Sequence, residues 1–266
     1  MLEGKVAIVT GGATGIGAAT SELLASKGAH VVVTSELAVE KMQPVVDRIK
    51  GAGGSAEAQT CDITDRDAIA SLVATVERDY GHIDILIQSA GVCFMGTLEE
   101  MPAAKIDLMF GVNVIGPISM IQAALPAMRR AGGGAIVNIS SGSAMLGVSE
   151  LAVYAATKSA IAHFTRTLAP ELRRSNIRCN SIGPGSVRTP MLGFTSDELT
   201  PEQQEGMVRR EARSISPYGN AMLEPHDIAE VALFLVSDAA RALQGSFVLA
   251  DQGISSAMLP PASKAD

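Results

Sequence analysis

The chain is poor in cysteine, in aromatic residues and in charge. Its 266 residues include three cysteines, no tryptophan, 3% aromatic residues and 18% charged residues. Cys61, Cys93 and Cys179 lie far apart and form no Cys-x-x-Cys pair, so a disulfide framework and a cysteine zinc site are not supported. The histidines have no metal-ligand spacing either, so we expect no metal site. The net charge of −7 argues against nucleic-acid binding through the overall field.

Membrane and export signals are also missing from the sequence. We see no apolar run close to the about 18 residues that a membrane-spanning helix needs. Residues 1–5 lead at once into a strand-like run, without the apolar stretch or the cleavage site of a signal peptide. We therefore expect a soluble, cytoplasmic protein with neither a membrane nor a nucleic-acid partner.

Hydrophobic residues make up 47% of the chain and occur in short runs that alternate with amphipathic stretches. The strand candidates are Val6–Thr10, Val31–Thr34, Ile83–Gln88, Ala135–Ser140 and Phe247–Ala250, with weaker ones at Glu57–Thr60 and Ile177–Ser181. Helical spacing covers Ile16–Lys27, Ala38–Gly51, Arg66–Tyr80, Pro102–Arg130, Leu151–Arg174 and His226–Ser237. This alternation predicts an α/β Rossmann fold, a doubly wound parallel sheet of about seven strands with helices on both faces.

No linker or repeat divides the chain, so we predict one catalytic domain over residues 1–257. Within it, residues 183–221 are long, polar and rich in breaker residues, which is typical of a functional loop that binds substrate. Residues 258–266 read as a poorly ordered tail unless a partner subunit orders them.

A glycine-rich loop connects the first strand to the first helix. Gly11, Gly15 and Gly17 permit a tight turn and a close approach of the backbone to a pyrophosphate, and Thr14 and Ile16 complete the loop. The amides at the start of the helix then face the phosphates. The alternative is a glycine-rich turn without a ligand, but its place between a strand and a helix favours a dinucleotide site.

The second strand ends in Ser35-Glu36, and Glu36 lies 19 residues after Gly17. A Rossmann unit presents an acid to the adenosine ribose about 20 residues on. Glu36 would also repel a 2′-phosphate, and neither the loop nor this strand end offers a Lys or Arg, so NAD is favoured over NADP. The other reading is an exposed acid at a helix start. After the third strand, Asp62 and Ile63 lie near the expected adenine position, although Asp62 is as well explained as a helix cap.

Tyr154 and Lys158 carry the chemical signal. At positions i and i+4 they share a helix face, so the ammonium lies beside the phenol. Bringing a phenol pKa from about 10 to about 7 requires about 4 kcal/mol. We expect the lysine charge, helped by a positive nicotinamide ring, to provide it. Ser141 follows a strand at the ligand-binding edge of the sheet, and Asn113 lies in the preceding helical segment.

Together these motifs resemble the short-chain dehydrogenase/reductase family, in its shorter branch, from Lys5 to about Ser255. The matching motifs are Thr10-Gly11-x-x-x-Gly15-Ile16-Gly17, Asn113, Ser141, Tyr154-x-x-x-Lys158 and the segment 180–189. The family's serine is Ser141 rather than Ser140, because it lies 13 residues before Tyr154. The resemblance implies hydride transfer between a nicotinamide and a secondary alcohol or ketone.

The resemblance also implies a role for each matching residue. Tyr154 is the general acid and base, Ser141 donates to the substrate oxygen, Lys158 also bonds the nicotinamide ribose, and Asn113 holds a water that links Lys158 to solvent. Ala90 and Gly91 let the cofactor lie close, and the carboxamide is fixed by Pro184, Gly185, Val187 and Thr189. A homotetramer is a further expectation by analogy.

Three positions depart from the family pattern. Gln88-Ser89 replaces Asn-Asn before Ala90, so the supporting amide network must differ. Ser35 stands where Asp is usual, which weakens the preference for NAD. Gln252 replaces a glycine in the Asp-Gly-Gly turn.

The expected substrate is an apolar or cyclic secondary alcohol, because most residues expected to line the pocket are apolar: Phe94, Ala144, Met145, Leu146, Val148, Met191, Leu192 and Phe194. An epimerase or dehydratase of the same superfamily would reuse the Tyr-Lys pair, but those branches usually carry a longer C-terminal domain. The alternative from another class is a catalytically silent dinucleotide-binding sensor or scaffold of the same fold.

Overall fold

A parallel sheet of seven strands lies at the centre of the structure, a computed structural model that describes residues 1–192, 222–253 and 255. In chain order the strands are β1 Val6–Thr10, β2 His30–Ser35, β3 Ser55–Thr60, β4 Ile85–Gln88, β5 Gly134–Ile139, β6 Ile177–Pro184 and β7 Phe247–Ala250. Their order in the sheet is β3-β2-β1-β4-β5-β6-β7. The predicted doubly wound Rossmann fold is therefore confirmed.

Seven helices cover the two faces of the sheet within the described residues. They are α1 Gly15–Ser26, α2 Val39–Gly51, α3 Arg66–Tyr80, α4 Ala103–Phe110, α5 Gly116–Arg130, α6 Ala152–Leu172 and α7 Pro225–Val236. Alternate strand side chains serve opposite faces: Ala7 and Val9 pack with α1, α2 and α7, whereas Val6 and Ile8 pack with α3, α5 and α6. Burial on both faces explains why these strands appear as continuous apolar runs.

The long helical segment predicted at 102–130 is interrupted. A single π-helical turn, Gly111–Ile115, separates α4 from α5 and contains the buried Asn113. Such turns widen a helix by one residue and occur often at functional sites. The weak strand predicted at 177–181 is longer than expected, because β6 continues to Pro184 and pairs with β7 there.

The segment Ala103–Arg130 corrects one expectation from the sequence. By length and composition it is long and apolar enough to cross a membrane, whereas we expected no such run. Half of its most apolar window is buried inside the fold. Met120, Ile121, Ala124 and Met128 of α5 pack in the core beside α3 and α6. This is the environment of a core helix.

The order of the strands places a crevice at one edge of the sheet. β1 pairs with β2 on one side and with β4 on the other, so the chain reverses its direction of winding between β1 and β4. Ligands of open α/β sheets bind at the carboxyl ends of the strands beside such a reversal. The segments that follow β1, β4, β5 and β6 all begin at this edge. Residues 193–221 of the predicted substrate loop and the tail 258–266 lie outside the described residues.

Candidate active site

The loop after β1 is packed so closely that its glycines leave no room for side chains. A Cβ on Gly17 would lie 2.1 Å from the carbonyl oxygen of Gly11. A Cβ on Gly11 would lie 2.7 Å from the Cα of Ala90, and Gly11 also has a φ of +63°. The Gly12 N–H donates to the Thr34 carbonyl oxygen at 3.0 Å, which fastens the loop to the end of β2. The turn is therefore tightly packed against Ala90 and the end of β2 and requires glycine at these positions.

The start of α1 has the properties of a phosphate site. Thr14 is the N-cap residue, but its side chain makes no capping hydrogen bond, and the first turn has no acidic residue. No carboxylate of the first turn therefore competes for its free N–H groups, which form the positive end of the helix dipole. Ile16 is partly buried and packs against the core, which holds the first turn against the sheet. This cradle fits the pyrophosphate of NAD(P).

Ser35 and Glu36 interact directly at the end of β2. The Ser35 hydroxyl donates to Oε2 of Glu36 at 2.8 Å and accepts from the Leu37 N–H at 3.3 Å. Ser35 is buried, while Glu36 is exposed. The serine that replaces the usual aspartate thus holds the neighbouring carboxylate at the strand end, beside the glycine loop.

Asp62 is not a helix cap. Its Oδ1 accepts from the backbone N–H of Thr64 at 2.8 Å and from the Thr64 hydroxyl at 2.7 Å. The N-cap of α3 is Asp65, whose side chain accepts from the N–H groups of Asp67 and Ala68. The cap interpretation of Asp62 was wrong, and an adenine contact at Asp62 stays a prediction. Ile63 is buried, and its side chain packs against Gly116 at the start of α5.

Ser141 and Tyr154 meet at the carboxyl end of β5. Tyr154 is buried in the first turn of α6, and the Ser141 hydroxyl lies close enough to its phenol to lower the phenol pKa. The Ser141 oxygen accepts from the Ser143 N–H at 3.1 Å and from the Ser143 hydroxyl at 3.0 Å. Because these two donors fill both lone pairs, the proton of Ser141 is available to a further acceptor, and the Tyr154 phenol is beside it. Ser141 is thus set up to donate a hydrogen bond.

Ser140 has a different function from Ser141. Its hydroxyl donates to the backbone carbonyl oxygen of Lys158 at 2.7 Å, and it is buried. Ser140 therefore ties β5 to α6, whereas its neighbour faces the phenol. The choice of Ser141 from its spacing agrees with this geometry.

Lys158 lies in the interior beside the phenol. Its Nζ is 5.6 Å from the centroid of the Tyr154 ring and donates to the Ile139 carbonyl oxygen at 3.0 Å. The side chain is only 4% exposed. Burial lowers the pKa of Lys158 to about 8, and the nearby Cys93 thiol partly opposes that shift. The ammonium therefore carries its charge at neutral pH and loses it just above.

The groups of the chain by themselves do not acidify the phenol of Tyr154. Burial raises the pKa of Tyr154 above its usual value, the Cys93 thiol adds to this rise, and the Ser141 hydrogen bond opposes it. The groups of the chain alone therefore keep Tyr154 as a neutral phenol. We expected the lysine charge together with a positive nicotinamide ring to lower this pKa, and that stays a prediction; in the chain by itself, burial has the largest effect on the phenol pKa.

Asn113 is held by hydrogen bonds on three sides. Its Oδ1 accepts from the Val92 N–H at 2.9 Å, and its Nδ2 donates to the Val92 carbonyl oxygen at 2.9 Å and to the Thr157 hydroxyl at 3.1 Å. The side chain thus connects the π-turn to the loop after β4 and to α6. The second lone pair of Oδ1 is left for a further donor. The water-holding role stays a prediction.

The segment after β6 completes the crevice opposite the glycine loop. Leu223 pairs with Ser186 and Arg188, so the peptide groups of Val187 point to the other side, where the Thr189 hydroxyl donates to the Val187 carbonyl oxygen at 3.3 Å. A Cβ on Gly15 would lie 3.0 Å from the Cγ2 of Thr189, so the two loops face each other closely. At the base of this segment, Pro184 ends β6 and the Gly185 N–H donates to the Ala250 carbonyl oxygen at 3.0 Å.

Gln88, the last residue of β4, stands where the family pattern has its first asparagine, and its longer side chain changes the local hydrogen bonds. Gln88 is buried, accepts from the Thr10 hydroxyl at 3.3 Å and donates to the Pro117 carbonyl oxygen at 3.0 Å. Thr10 in turn accepts from the Ala90 N–H at 3.3 Å. The longer amide therefore connects β1, β4 and the start of α5, and it supports the Ala90–Gly91 backbone.

Three residues near the reacting groups were not identified from the sequence. Ser143 orients the Ser141 hydroxyl, Thr157 bonds Asn113, and the Cys93 thiol affects the pKa of both Tyr154 and Lys158. Ser143 and Thr157 lie within two or three positions of a motif residue, which was the available signal. Within residues 1–192, 222–253 and 255, no group of three His, Cys, Asp or Glu side chains is placed to hold a metal ion.

The fold and the site together define a dinucleotide-binding α/β protein with a Ser-Tyr-Lys arrangement at the ligand edge of its sheet. A family model described as short chain dehydrogenase matches residues 5–200. The 3-oxoacyl-[acyl-carrier-protein] reductase of Thermotoga maritima is 35% identical over 253 residues, which cover 95% of this chain and 98% of that protein. The 2,3-dihydro-2,3-dihydroxybenzoate dehydrogenase of Bacillus subtilis is 36% identical, over 89% of this chain and 90% of that protein.

Solved structures give the same result. A 7α-hydroxysteroid dehydrogenase complexed with NADH and 7-oxo glycochenodeoxycholic acid superposes with a TM-score of 0.85 and 33% identity, over 95% of this chain and 94% of that one. The chain therefore belongs to the short-chain dehydrogenase/reductase family, whose members are oxidoreductases that bind NAD(P). The family resemblance seen in the sequence is confirmed.

Proposed function

We propose that the protein interconverts a secondary alcohol and its ketone with NAD(P) as the cofactor. The observation that carries this proposal is the convergence of Ser141, Tyr154 and Lys158 at the sheet edge beside the glycine loop. The Ser141 hydroxyl has a proton to donate, and it lies beside the phenol of Tyr154. A substrate oxygen placed there would contact both hydroxyl groups.

NAD(P), when bound, supplies or accepts the hydride and, in its oxidised form, adds a positive charge near the phenol. The residues fit it, because Gly11, Gly15 and Gly17 allow the tight turn before α1 and the start of α1 offers amides that no side chain caps. Ala90 and Gly91 would lie against the ring side of the cofactor, and Val187 and Thr189 would hold its carboxamide.

Tyr154 exchanges the proton of the substrate oxygen. In alcohol oxidation the phenolate form of Tyr154 takes the hydroxyl proton, and in ketone reduction the phenol returns it. Ser141 donates a hydrogen bond to that oxygen and stabilises the negative charge that develops there. Burial keeps the phenol neutral in the chain by itself, so Tyr154 is ready as the acid for reduction.

Lys158 is the positive group beside the phenol, and it is the group that would exchange a proton with Tyr154 next. Because burial lowers its pKa to about 8, it can both carry charge at neutral pH and release a proton without a large cost. Asn113 Oδ1 lies on the same side of Gly91 as Nζ of Lys158 and is the group through which a water would reach Lys158. This path continues the proton relay outward.

We propose NAD rather than NADP as the preferred cofactor. The Glu36 carboxylate is held at the end of β2 by the Ser35 hydroxyl at 2.8 Å. A carboxylate there accepts from ribose hydroxyls and repels a 2′-phosphate. The 7α-hydroxysteroid dehydrogenase structure that resembles this chain contains NADH.

The substrate class that we propose is an apolar or cyclic secondary alcohol. Met145 and Val148, on the segment after β5, and Met191, after β6, are large apolar side chains that are 45–68% exposed beside the crevice. That 7α-hydroxysteroid dehydrogenase holds a 7-oxo bile acid, which is a cyclic ketone. Phe194 of the predicted lining lies outside the described residues. The homotetramer and the cytoplasmic location stay predictions.

The test measures reduced nicotinamide by its absorbance while the protein is offered cyclic and open-chain secondary alcohols, and ketones in the reverse direction. We expect turnover by the unaltered protein and none by Tyr154→Phe, with the Kd for the cofactor unchanged. Tyr80→Phe is the matched control, because the Tyr80 ring stacks on His30 at the opposite edge of the sheet. Cofactor binding without turnover on the whole panel would support the silent sensor or scaffold instead.

A further inference from the structure

A buried threonine lies between Asn113 and the catalytic turn of α6. The Thr157 side chain is fully buried, and its hydroxyl donates to the Tyr154 carbonyl oxygen at 2.7 Å. The same hydroxyl accepts from Nδ2 of Asn113 at 3.1 Å. The hydroxyl therefore donates a hydrogen bond within α6 and accepts one from the π-turn.

The bond to the Tyr154 carbonyl is at a sensitive point. In an α-helix this carbonyl accepts from the N–H four residues later, which here belongs to Lys158. A second donor on that oxygen restrains the peptide turn that sets the positions of Tyr154 and Lys158. Helical Thr residues often bond back to their own helix. Here the hydroxyl is also bonded from outside the helix, by Asn113.

Asn113 is in turn fixed to the loop that would face the cofactor. Its amide forms a pair of hydrogen bonds with the backbone of Val92, each 2.9 Å long. One chain of hydrogen bonds thus runs from the loop after β4 through Asn113 and Thr157 to the backbone of Tyr154. Thr157 is the side-chain link of this chain to α6.

We propose that Thr157 is a positioning residue that holds the Tyr154–Lys158 turn in register with Asn113 and the loop after β4. This inference rests on the proposed function. Thr157 faces neither substrate nor cofactor, so it acts through Tyr154 and Lys158. Removal of the hydroxyl would release the turn and leave one N–H of Asn113 without its acceptor.

The chain provides a matched control on the same helix. Thr165 is also fully buried, donates to the Ile161 carbonyl oxygen at 2.7 Å and accepts from Nδ2 of Asn138 at 2.8 Å. It has the same pattern of bonds as Thr157 but lies eleven residues beyond Tyr154. A purely structural loss would therefore be similar at both positions.

The experiment compares Thr157→Val, Thr157→Ser and Thr165→Val with the unaltered protein on the best alcohol of the panel. We expect Thr157→Val to lower kcat about ten- to hundredfold with little change in the KM for the cofactor, because small misplacements of reacting groups have effects of this size. Thr157→Ser keeps the hydroxyl and should keep most of kcat. Thr165→Val should keep kcat although it loses stability.

The pH profile separates positioning from folding. Nζ of Lys158 lies 5.6 Å from the centroid of the Tyr154 ring, and Ser141 and Cys93 are the other polar neighbours of the phenol. A looser turn would move the ammonium away from the phenolate that alcohol oxidation requires. The acidic limb of kcat for alcohol oxidation, on which the phenol must lose its proton, should therefore move to higher pH in Thr157→Val and in neither other variant. If Thr157→Val does not fold, Thr157→Ala removes the hydroxyl without adding a methyl group.

Each remaining outcome has a definite meaning. Unchanged kcat and pH profile in Thr157→Val, or an equal loss in Thr157→Ser, would overturn the positioning role while the proposed function stands. An equal loss of kcat in Thr165→Val would also overturn it, because the effect would then be one of stability. No turnover by the unaltered protein would overturn the proposed function and this inference together.

Discussion

Lys158 and Asn113 lie on the same side of Gly91, with Nζ of the lysine and Oδ1 of the asparagine each 3.4 Å from the point where a Cβ on Gly91 would stand. The missing side chain thus leaves the space between the two groups open. This is the space through which the proton relay would pass. The small residue after Ala90 therefore serves the lysine and the asparagine as well as the cofactor.

Alanine at position 91 should impair turnover more than folding. The added methyl group would enter the space between Lys158 and Asn113, and we expect kcat to fall about ten- to hundredfold in Gly91→Ala. Steady-state kinetics and denaturant unfolding measure the two effects separately. Gly51→Ala is the control, because a Cβ on Gly51 meets no atom within 4 Å. Wild-type kcat in Gly91→Ala would show that this space is not needed.

Replacement of the buried lysine should stabilise the protein while it abolishes activity. Burial lowers the pKa of Lys158 from its usual 10.5 to about 8, which corresponds to about 3 kcal/mol against the charged form. Lys158→Met also leaves the Ile139 carbonyl oxygen unpaired, which costs about 1–2 kcal/mol. We therefore expect the free energy of unfolding at pH 7 to rise by about 1–2 kcal/mol. Urea unfolding measures it.

The advantage of Lys158→Met should shrink as the pH rises. Above about pH 8 the folded protein releases the lysine proton while the unfolded chain keeps it up to about 10.4, so the wild type gains stability through this window. Unfolding at pH 7 and at pH 9.5 tests this. Lys41→Met, at an exposed position of α2, should show no such trend. A stability difference that stays constant with pH would show that burial does not lower the pKa of Lys158.

Neutralisation of Glu36 should improve NADP binding. Glu36→Gln removes the charge that would face a 2′-phosphate, and we expect the Kd for NADP to fall about tenfold, equal to about 1.4 kcal/mol. Titration with each cofactor, followed by fluorescence, measures the two Kd values. Glu40→Gln in the first turn of α2 makes the same change of charge nearby. If both variants bind NADP as the wild type does, Glu36 is an exposed acid at a helix start.

Glycine at position 252 should stabilise the last turn. Gln252 has a φ of +54°, a left-handed conformation that costs a side-chain-bearing residue about 1–2 kcal/mol. Asp251 keeps the turn by accepting from the Gly253 and Ser255 N–H groups. Gln252→Gly should raise the free energy of unfolding by about 1 kcal/mol. Gln43→Gly, inside α2, should lower it by about 1 kcal/mol, and a loss in both variants would contradict the strain at Gln252.

Most of the fold could be predicted because the strands are buried on both faces. Val6–Thr10 is apolar at every position but the last and buried throughout, and its limits agree with the structure. The limits of other predicted strands, such as β4 and β5, differ by one or two residues. Two features depend on tertiary packing instead. β6 reaches Pro184 because β7 pairs with its end, and the π-turn at Gly111–Ile115 has no local sequence signal that distinguishes it from an α-turn.

The candidate site could be predicted only as far as its motifs extend. Tyr154 and Lys158 share a helix face by spacing, and Ser141 follows from its distance to Tyr154 along the chain. The roles of Ser143 and Thr157 depend on which hydrogen bonds their hydroxyls make, and that is set by the packing of β5, α6 and the π-turn. The pKa of Tyr154 depends on burial, which spacing does not show.

The proposed reaction divides the work between the nicotinamide, which takes the hydride, and Tyr154, which takes the proton. The most direct measurement uses the best secondary alcohol of the panel, deuterated at its carbinol carbon, with the oxidised cofactor and mass spectrometry of the reduced nicotinamide. We expect the wild type to place deuterium on the nicotinamide and Tyr154→Phe to transfer none. Reduced nicotinamide without deuterium, or undiminished transfer by Tyr154→Phe, would contradict it.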